Sequence, residues 1–451
     1  MTGTPRRWAD EHAVVVDLGF GDAGKGVTVD LLCARRRFGA VVRANGGAQA
    51  AHNVVAPDGR HHTFAQFGAG TLAPDSPVPT HLSRFVVVDP FALAAEAGHL
   101  VSLGVRDPFA LLTVDRRALI STPWHQAVNR VRERARGAAR HGSCGMGVGE
   151  TMAYALAHPE DAPTVGDCAD PARLRGKLVR LAAYLAEHAG RGEDFPDVEE
   201  CLPAYRAFAE RVRLVDERYL PGLLAASPVV FEGAQGVLLD EWHGFPPHTT
   251  WSTTTTANPL TLMAEAGQEG GARRIGVVRT YTTRHGAGPL VTEDPVLGAA
   301  LPERHNGTHP WQGGFRVGHL DLVAHRYALE ATGGVDALVV THADAPDRIR
   351  AATGAAPRWC TGYAGADGSP LRIAPAAVPD LERQERVTAA LLAARPVLEA
   401  MPVEPAAAIG DALGVPVEAV FSGPTREDAR TTWAREPRGW SGARRSTRVS
   451  A

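Results

Sequence analysis

The sequence predicts an α/β fold of the phosphate-loop type, in which a doubly wound, mostly parallel sheet carries helical insertions. Two observations predict it. Short apolar runs alternate with helical patterns along the chain, as in parallel strands that are buried on both faces. A glycine-rich loop, Gly19 to Gly26, lies between the first apolar run and a helical segment, which is the setting of a phosphate-binding loop. With 451 residues, 44% of them apolar, the chain can bury a large core.

The apolar runs give the strands in chain order. The predicted strands are Ala13 to Leu18, Ala40 to Arg43, Phe85 to Asp89, Leu111 to Val114, Val229 to Phe231, Ile275 to Arg279 and Ala337 to Thr341. Helical patterns with a 3.6-residue period lie between them. The clearest of these are Val27 to Arg37, Pro90 to Gly104 and Thr122 to Arg136.

The remaining segments set the domain organisation. Residues 1–425 are predicted to form one domain. Residues 169–224 are rich in helical patterns and are predicted to be an insertion over the sheet. Residues 293–317 contain Gly, Pro and His without a strand-like run, which predicts a loop. Residues 426–451 are rich in Arg, Ser and Thr, which predicts a flexible tail.

Composition argues against several classes of protein. The 47 basic and 50 acidic residues nearly balance, so we expect no nucleic-acid partner. No apolar run approaches the ~20 residues that cross a bilayer, so we expect no membrane partner. The polar N-terminal stretch leads into a strand pattern, so we expect no signal peptide. The five cysteines are scattered, which predicts neither a disulfide framework nor a zinc cluster and indicates a cytoplasmic location.

Lysine is rare in this chain, because almost all of its basic residues are arginine. The two lysines are Lys25 and Lys177. Lys177 lies in a polar helical stretch and is predicted to be exposed to solvent. Lys25 lies in the glycine loop, with the spacing G-x-x-x-x-G-K. Backbone N–H groups of such a loop converge on phosphate oxygens, and the lysine neutralises further phosphate charge. The alternative interpretation is a plain turn between a strand and a helix.

Two departures from the usual phosphate loop are informative. Gly26 follows the lysine, so the hydroxyl that usually binds magnesium is missing. A carboxylate, Asp22, lies inside the loop. It can bind magnesium or act as a base beside the phosphates. The alternative is that Asp22 is a turn or cap residue.

Six ordered motifs together resemble the adenylosuccinate synthetase family over most of residues 13–425. The motifs are G-D-A-G-K-G at 21–26, G-G-A-Q-A-A-H-N at 46–53, F-E-G-A-Q-G-V-L-L-D at 231–240, Y-T-T-R-H-G-A-G-P-L-V-T-E at 281–293, T-H-A-D at 341–344 and S-G-P at 422–424. The resemblance implies a ligase that uses GTP and Mg²⁺ to activate the O6 of IMP, or of a similar purine nucleotide, and then joins it to the amine of aspartate. It also implies a homodimer.

The resemblance implies two catalytic residues. Asp22 would take the N1 proton of the purine, which makes O6 a better nucleophile for the γ-phosphate of GTP. His52 would donate a hydrogen bond or a proton on the GTP phosphate side. Magnesium would bind the carboxylate of Asp22 and the backbone carbonyl of Ala51.

The resemblance also implies two nucleotide-binding sets. The GTP-binding set is Gly21, Asp22, Ala23, Gly24, Lys25, Gly26, Val27, Ala51, His52, Asn53, Arg316, Asp344, Ser422 and Gly423. The purine nucleotide-binding set is Asp22, Lys25, Gln49, Ala50, Ala51, His52, Ser143, Cys144, Gln235 and Thr250. In the first set, Asp344 would accept two hydrogen bonds from guanine. In the second, Ser143 and Cys144 replace two threonines of the family, and Thr249 is an alternative to Thr250.

The largest departure from the family is the loop that binds the amino acid, where the family has T-T-G-R-R-R-R-T-G-W-L-D. The matching co-substrate loop here is represented by Thr308, Trp311, Gly313, Phe315 and Arg316. A single arginine remains where the family has a cluster, and arginine forks are what hold a dicarboxylate. Candidate replacements nearby in sequence are Arg279, Arg284 and Arg304.

Three hypotheses therefore stay open. The first is a working adenylosuccinate synthetase with rearranged anchors. The second is a paralogue that joins a different amine to a purine-like nucleotide; an amine with fewer carboxylates, or with an apolar part that can contact Trp311 and Phe315, is then expected to compete better than aspartate. The third is a non-catalytic nucleotide-binding regulator. The joint presence of four residues argues against it: Asp22, Lys25, His52 and Gln235.

Overall fold

A computed structural model describes residues 11–73, 76–189, 195–303, 306–308 and 310–434. Nineteen strands lie in these ranges. They are β1 His12–Asp17, β2 Ala40–Arg43, β3 His52–Val55, β4 His61–Phe64, β5 Thr80–Leu82, β6 Val87–Val88, β7 Leu112–Asp115, β8 Leu119–Ile120, β9 Arg213–Val215, β10 Val229–Glu232, β11 Ala272–Arg279, β12 Tyr281–His285, β13 Phe315–Asp321, β14 Ala337–Thr341, β15 Arg358–Ala364, β16 Pro370–Leu371, β17 Arg395–Ala400, β18 Val417–Phe421 and β19 Ala429–Thr431.

Thirteen α-helices lie in the same ranges. They are α1 Lys25–Arg35, α2 Pro90–Ser102, α3 Pro123–Arg136, α4 Val148–Ala157, α5 Pro171–Ala189, α6 Val198–Arg211, α7 Tyr219–Ala226, α8 Ala257–Glu265, α9 Pro295–Ala300, α10 Leu322–Ala331, α11 Ala345–Thr353, α12 Leu381–Ala393 and α13 Pro405–Leu413. None of the helices in the described ranges is long and apolar enough to span a membrane.

The main sheet has ten strands in the order β19-β18-β14-β11-β1-β10-β2-β5-β7-β9. Its pairings are parallel except between β18 and β19. Side chains of β1 alternate between two cores: Ala13 and Val15 face one, and Val14 and Val16 face the other. Helices α1 to α6 pack into the first core, and α7, α8, α10, α12 and α13 into the second. Both faces of the sheet are covered, so the predicted doubly wound fold is confirmed.

The carboxyl ends of neighbouring strands meet on one edge of this sheet. Asp17, Glu232, Arg279 and Thr341 end the adjacent strands β1, β10, β11 and β14. Chain segments that follow these residues therefore converge, as ligand-binding loops do in open α/β sheets. A second, five-stranded sheet contains β12 paired antiparallel with β13. Because β12 follows β11 after one residue, this second sheet lies beside the same edge.

Three predictions about segments need correction. Residues 169–224 do contain α5 and α6, but they also supply β9, the edge strand of the main sheet. Residues 293–317 were predicted to be a loop, yet α9 and the start of β13 lie there because their apolar residues form a small separate core. The tail predicted over residues 426–451 begins too early, since β19 pairs with β18; residues 435–451 lie outside the described ranges.

The prediction for Lys177 is also wrong. Its side chain is buried, and its ammonium donates to Asp167 Oδ2 at 2.9 Å and to the carbonyl of Ala162 at 2.9 Å. The lysine lies on α5, at its contact with the turn that contains Asp167. A helical pattern cannot reveal this, because the partner carboxylate comes from a separate turn.

Candidate active site

A buried carboxylate organises the phosphate loop. Asp17, the last residue of β1, accepts hydrogen bonds from the backbone N–H groups of Gly19 and Ala23, both at 2.8 Å. It also accepts one from Lys25 Nζ at 2.9 Å. Both side chains of this ion pair are almost fully buried. The pair fixes the loop and holds the ammonium at the start of α1, where the helix N-terminus adds positive charge.

Asp22 adopts an unusual backbone conformation in this loop. Its φ is +58°, in the left-handed region that few residues other than glycine adopt. Arg279 Nε donates to its carbonyl oxygen at 2.6 Å, and His285 Nε2 lies 3.2 Å from its carboxylate Oδ2. Burial alone would raise the pKa of Asp22, but the hydrogen bond from His285 and the charges of Arg279 and Lys25 outweigh it and lower the pKa. The carboxylate is therefore ionised and able to accept a proton at neutral pH.

His52 is oriented by a buried carboxylate. Its Nδ1 lies 2.6 Å from Glu232 Oε1, and Glu232 also accepts from the backbone N–H of Ala69. Burial lowers the pKa of His52 to about 4, although Glu232 opposes this shift. The ring is thus neutral at pH 7, with Nδ1–H donated to Glu232. Its Nε2 is buried without a hydrogen-bond partner among the described residues, and so is available to a ligand.

Two cavities meet at these residues. The first, of about 740 Å³, extends from the phosphate loop to the residues after β14 and β18. Of the predicted GTP-binding set, the residues that line it are Asp22, Gly24, Lys25, Gly26, Val27, Ala51, His52, Asn53, Asp344, Ser422 and Gly423. Gly21 lines the second cavity instead. Ala23 lines neither cavity, and its backbone N–H donates to Asp17.

The second cavity, of about 440 Å³, lies on the other side of Asp22. Every residue of the predicted purine nucleotide-binding set lines it: Asp22, Lys25, Gln49, Ala50, Ala51, His52, Ser143, Cys144, Gln235 and Thr250. The two amides, Gln49 and Gln235, have buried oxygen and nitrogen atoms without partners among the described residues. Buried polar groups are normally paired, so these amides are poised for a ligand that supplies both donors and acceptors.

The far end of the first cavity carries Asp344. Its carboxylate is about one-third exposed and lies 3.4 Å from Arg348. The neighbouring residue His342 has a φ of +53° and lines the same cavity. Burial, helped by the charges of Arg279 and Arg348, lowers the pKa of His342 to about 3. The histidine is therefore neutral at pH 7.

Arg316 differs from its prediction as a GTP and co-substrate contact. Its guanidinium forms a two-pronged ion pair with Glu293 and donates to the carbonyls of Gly286 and Gly288 at 2.9 and 2.8 Å. It lines neither cavity. In this conformation its donors are used by Glu293 and by the glycine segment that directly follows β12, so the guanidinium is not a free anchor for a carboxylate.

The other predicted residues of the co-substrate loop also lie away from the cavities. Trp311 packs against Gly145, with Arg130 and Arg134 over its ring. Phe315 packs edge-on against His285. Thr308 and Gly313 line neither cavity; from this loop, Asn306 and Gln312 do. The aromatic side chains are engaged by neighbouring elements of the fold and do not face the second cavity.

The candidate replacement arginines are engaged as well. Arg279 Nη1 donates to Tyr281 at 2.8 Å and to Glu303 at 2.5 Å. Arg284 lines the second cavity but donates to three backbone carbonyls. Arg304 lies outside the described residues.

Four residues near the site were missed in the sequence. They are Asp17, Glu232, His285 and Glu303. Asp17 had a signal, since a carboxylate ends the apolar run before the glycine loop. Glu232 lies inside the motif at 231–240, but no role was assigned to it. His285 and Glu303 are brought to the site by the second sheet and by Arg279, which no local pattern reveals.

The donors present fit a magnesium ion that is shared with a nucleotide. The described residues contain no group of three His, Cys, Asp or Glu side chains that could hold a metal by themselves. Mg²⁺ is usually bound through one or two carboxylates together with phosphate oxygens and water. Asp22 and Ala51 line both cavities, which supplies a carboxylate and a backbone segment beside the phosphate loop.

Sequence comparisons agree with the motifs. A family model described as adenylosuccinate synthetase matches residues 14–430. The adenylosuccinate synthetase of Photobacterium profundum is 30% identical over 439 residues, which cover 92% of this chain and 97% of the relative. That of Shewanella woodyi is 32% identical over 455 residues, which cover 93% and 97%.

Two solved structures share the fold. A fully ligated adenylosuccinate synthetase from Plasmodium falciparum matches with a TM-score of 0.77 at 20% identity, covering 93% of this chain and 99% of that one. The succinoaminodeoxyadenylate synthetase of cyanophage S-2L, bound to dGMP and to dATP as an energy donor, matches with a TM-score of 0.55 at 19% identity, covering 94% and 95%.

Proposed function

Because the chain belongs to the adenylosuccinate synthetase family of GTP-hydrolysing ligases that form a C–N bond, we propose a role for each group of its site. The observation that supports the proposal most strongly is that the two cavities share lining residues: both are lined by Asp22, Lys25, Ala51 and His52. GTP occupies the first cavity and IMP the second. A phosphoryl group then passes between them beside these four residues.

The first step is phosphorylation of the purine. Asp22 takes the N1 proton of IMP, O6 attacks the γ-phosphorus of GTP, and the bond to the β-phosphate breaks to release GDP. Lys25 and the N–H groups of the loop stabilise the negative charge of the transferring group. In the second step the amine of aspartate attacks C6, inorganic phosphate leaves, and the amine nitrogen loses its proton.

His52 contacts the phosphate side. Its Nε2 carries a proton only in the imidazolium form, because Nδ1–H is donated to Glu232. A bound phosphate adds negative charge near the ring and raises the pKa of His52 toward the donor form. When bound, Mg²⁺ would be held by Asp22 and the carbonyl of Ala51 and would neutralise phosphate charge.

GTP is proposed as the donor because of Asp344. A carboxylate accepts from both the N1–H and the amino group of guanine, whereas adenine does not offer that pair of donors. Ser422 and Gly423 line the same end of the cavity and are proposed to contact the base.

The test is steady-state turnover of the purified chain with GTP, IMP, Mg²⁺ and aspartate. Phosphate release should require all four, and the product should gain the mass of aspartate less one water. Replacing GTP by ATP should reduce the rate. Binding of GTP without any turnover, over a panel of amines, would contradict the proposal and favour a regulatory protein.

A second candidate is a ligase for a different amine, and the ion pair between Arg316 and Glu293 favours it. Aspartate carries two carboxylates, and a carboxylate left unpaired in a closing site keeps its desolvation cost. Saturation by aspartate at fixed GTP and IMP separates the candidates when repeated with Arg316→Ala. Tight saturation that survives the substitution supports aspartate held elsewhere; poor saturation, together with faster turnover of an amine with fewer carboxylates, supports the second candidate.

We also propose a homodimer in the cytoplasm, as the family resemblance implies. Light scattering of the full chain should give twice the mass of 47.7 kDa, and a value equal to that mass would contradict the dimer.

A further inference from the structure

We propose that His285 is a positioning residue that holds the carboxylate of Asp22 toward the purine cavity. The inference rests on the proposed function, in which Asp22 removes the N1 proton. His285 lies at a position that the family motif Y-x-T-R-x-G-A-G-P leaves open, so the motif itself does not assign it a role.

The contact is direct and shielded. His285 Nε2 lies 3.2 Å from Asp22 Oδ2, and each side chain is only about one-fifth exposed, at 21% and 22%. Lys25, which also lines both cavities, points its ammonium at Asp17. The contact from His285 can therefore stabilise one orientation of the Asp22 carboxylate over the others.

Asp22 needs such a contact because it lies between two cavities. Arg279 holds its backbone carbonyl, which fixes the main chain in the left-handed conformation. This contact with Arg279 does not restrain rotation of the Asp22 side chain about its Cα–Cβ bond, so the carboxylate can face either cavity. A bond from the side of the second cavity, which His285 lines, selects the orientation that the first chemical step requires.

The ring of His285 is itself fixed. It ends β12, pairs in register with Phe315 of β13, and packs edge-on against that residue at 4.8 Å between ring centroids. The proposed role needs the tautomer in which Nε2 carries the proton; Nδ1 is buried without a partner among the described residues. The strand pairing and the packing against Phe315 thus hold the histidine side chain of the second sheet against the phosphate loop.

The test separates the hydrogen bond from the packing. His285→Phe keeps an aromatic ring but loses the donor, and His285→Gln keeps a donor. His319→Phe is the matched control, because it removes a histidine–aspartate contact of the same kind from the same sheet: His319 Nε2 lies 3.3 Å from Asp294 Oδ2, and His319 lines neither cavity. Melting temperatures of all variants report whether they fold.

The first step is read by positional isotope exchange. GTP labelled at the oxygen between the β- and γ-phosphorus atoms is incubated with IMP and without amine, and scrambling of the label reports reversible phosphoryl transfer. We expect His285→Phe to lower kcat and the exchange rate together by roughly 10–100-fold, with the KM values for GTP and IMP within about twofold. His285→Gln should regain part of the loss, and His319→Phe should keep kcat within about twofold.

The outcomes distinguish this proposal from the proposed function. If the unmodified chain exchanges label with IMP and His285→Phe exchanges it equally fast, the positioning role is wrong and the proposed function stands. If His319→Phe loses as much as His285→Phe, the loss comes from disturbance of the second sheet and not from the contact with Asp22, which also overturns the proposal. If the unmodified chain shows no exchange, the proposed function fails and the role of His285 fails with it.

Discussion

The two lysines of the chain form almost the same local structure in two different regions. Lys25 pairs with Asp17 at 2.9 Å, and Lys177 pairs with Asp167 at 2.9 Å. Both lysines are buried, with 3% and 5% of their surface exposed. Of the two lysines, Lys25 lines both cavities at the phosphate loop and Lys177 lines neither. The second donates its other bond to the carbonyl of Ala162.

The difference shows that a buried ion pair does not by itself mark a functional site. Asp17 also fixes the backbone of a phosphate loop, whereas Asp167 accepts from Thr164 and lies beside Arg173. The first pair is part of a ligand-binding loop, and the second joins α5 to a turn. Variants in each region should therefore lose different properties.

The largest expected effect is at Asp22, beside the first pair. Asp22→Asn keeps the shape of the side chain but removes the base, so turnover should fall below detection while GTP affinity stays within about tenfold. Turnover and GTP binding by calorimetry are measured on the same preparation. Near-normal turnover in this variant would exclude Asp22 as the base.

Lys25→Arg should lower kcat/KM for GTP by roughly 10²–10³-fold, although the positive charge remains. Arginine is bulkier and forked, and the loop encloses a compact ammonium. Steady-state kinetics check this, with Lys177→Arg as the control outside the cavities. Equal kinetics for the two variants would remove the distinction between the two regions.

A third buried pair joins α1 to the C-terminal segment. Arg426 Nη1 lies 3.0 Å from both oxygens of Asp30, and burial raises the pKa of Asp30 to about 6 although Arg426 opposes the shift. Arg426→Ala should lower the free energy of unfolding by about 3 kcal/mol, because it leaves a buried charge unpaired.

The loss should depend on pH. The folded-state pKa of Asp30 lies above its unfolded value, so its contribution to stability falls as pH rises from about 4 to about 6. Without Arg426 the pKa rises further, and the deficit of the variant should be larger at pH 8 than at pH 5. Urea unfolding at both values tests this, with Arg430→Ala on exposed β19 as the control. A deficit that shrinks at pH 8 would contradict the account.

Lys177→Met should lower the free energy of unfolding by about 2 kcal/mol, since it removes charged hydrogen bonds to Asp167 and Ala162 while Arg173 still pairs with Asp167. Its kcat/KM should match that of the unmodified chain at a temperature where both are folded. A loss of activity without a loss of stability would place Lys177 in the functional machinery.

The smallest effect on activity and stability is expected at Asp344, which forms an exposed pair with Arg348 in the first cavity. Asp344→Asn should reduce the preference for GTP over ATP by about tenfold, because the amide offers one acceptor where the carboxylate offers two. Stability should change by less than ~1 kcal/mol, as the pair with Arg348 is exposed to solvent. Competition between GTP and ATP measures the preference; an unchanged ratio would remove Asp344 from base recognition.

The sequence predicts the sheet well where strands are buried on both faces. Ala40–Arg43 and Ala337–Thr341 occur as predicted, because continuous apolar runs are strong signals there. Short strands at the edges were missed, such as Arg213–Val215, whose first two residues are not buried. Its pairing partner is about a hundred residues earlier, and no local pattern encodes that contact.

The candidate site also divides into residues that a local sequence pattern predicts and residues that depend on a distant partner. Residues that act through the backbone of contiguous motifs, such as Gly24 and Ala51, line the cavities where they were expected. Residues whose role depends on a partner from another strand were not predictable. His285 and Arg316 both lie on the second sheet, and each contacts a carboxylate from outside it: Asp22 of the phosphate loop for the first and Glu293 for the second.

The most direct test of the account is phosphoryl transfer in the unmodified chain without any amine. GTP labelled at the oxygen between its β- and γ-phosphorus atoms is incubated with Mg²⁺, with and without IMP, and the label is followed by ³¹P NMR. The account predicts scrambling that requires IMP, because the purine in the second cavity accepts the phosphoryl group across Asp22 and Lys25. No scrambling with IMP, or equal scrambling without it, would contradict the account.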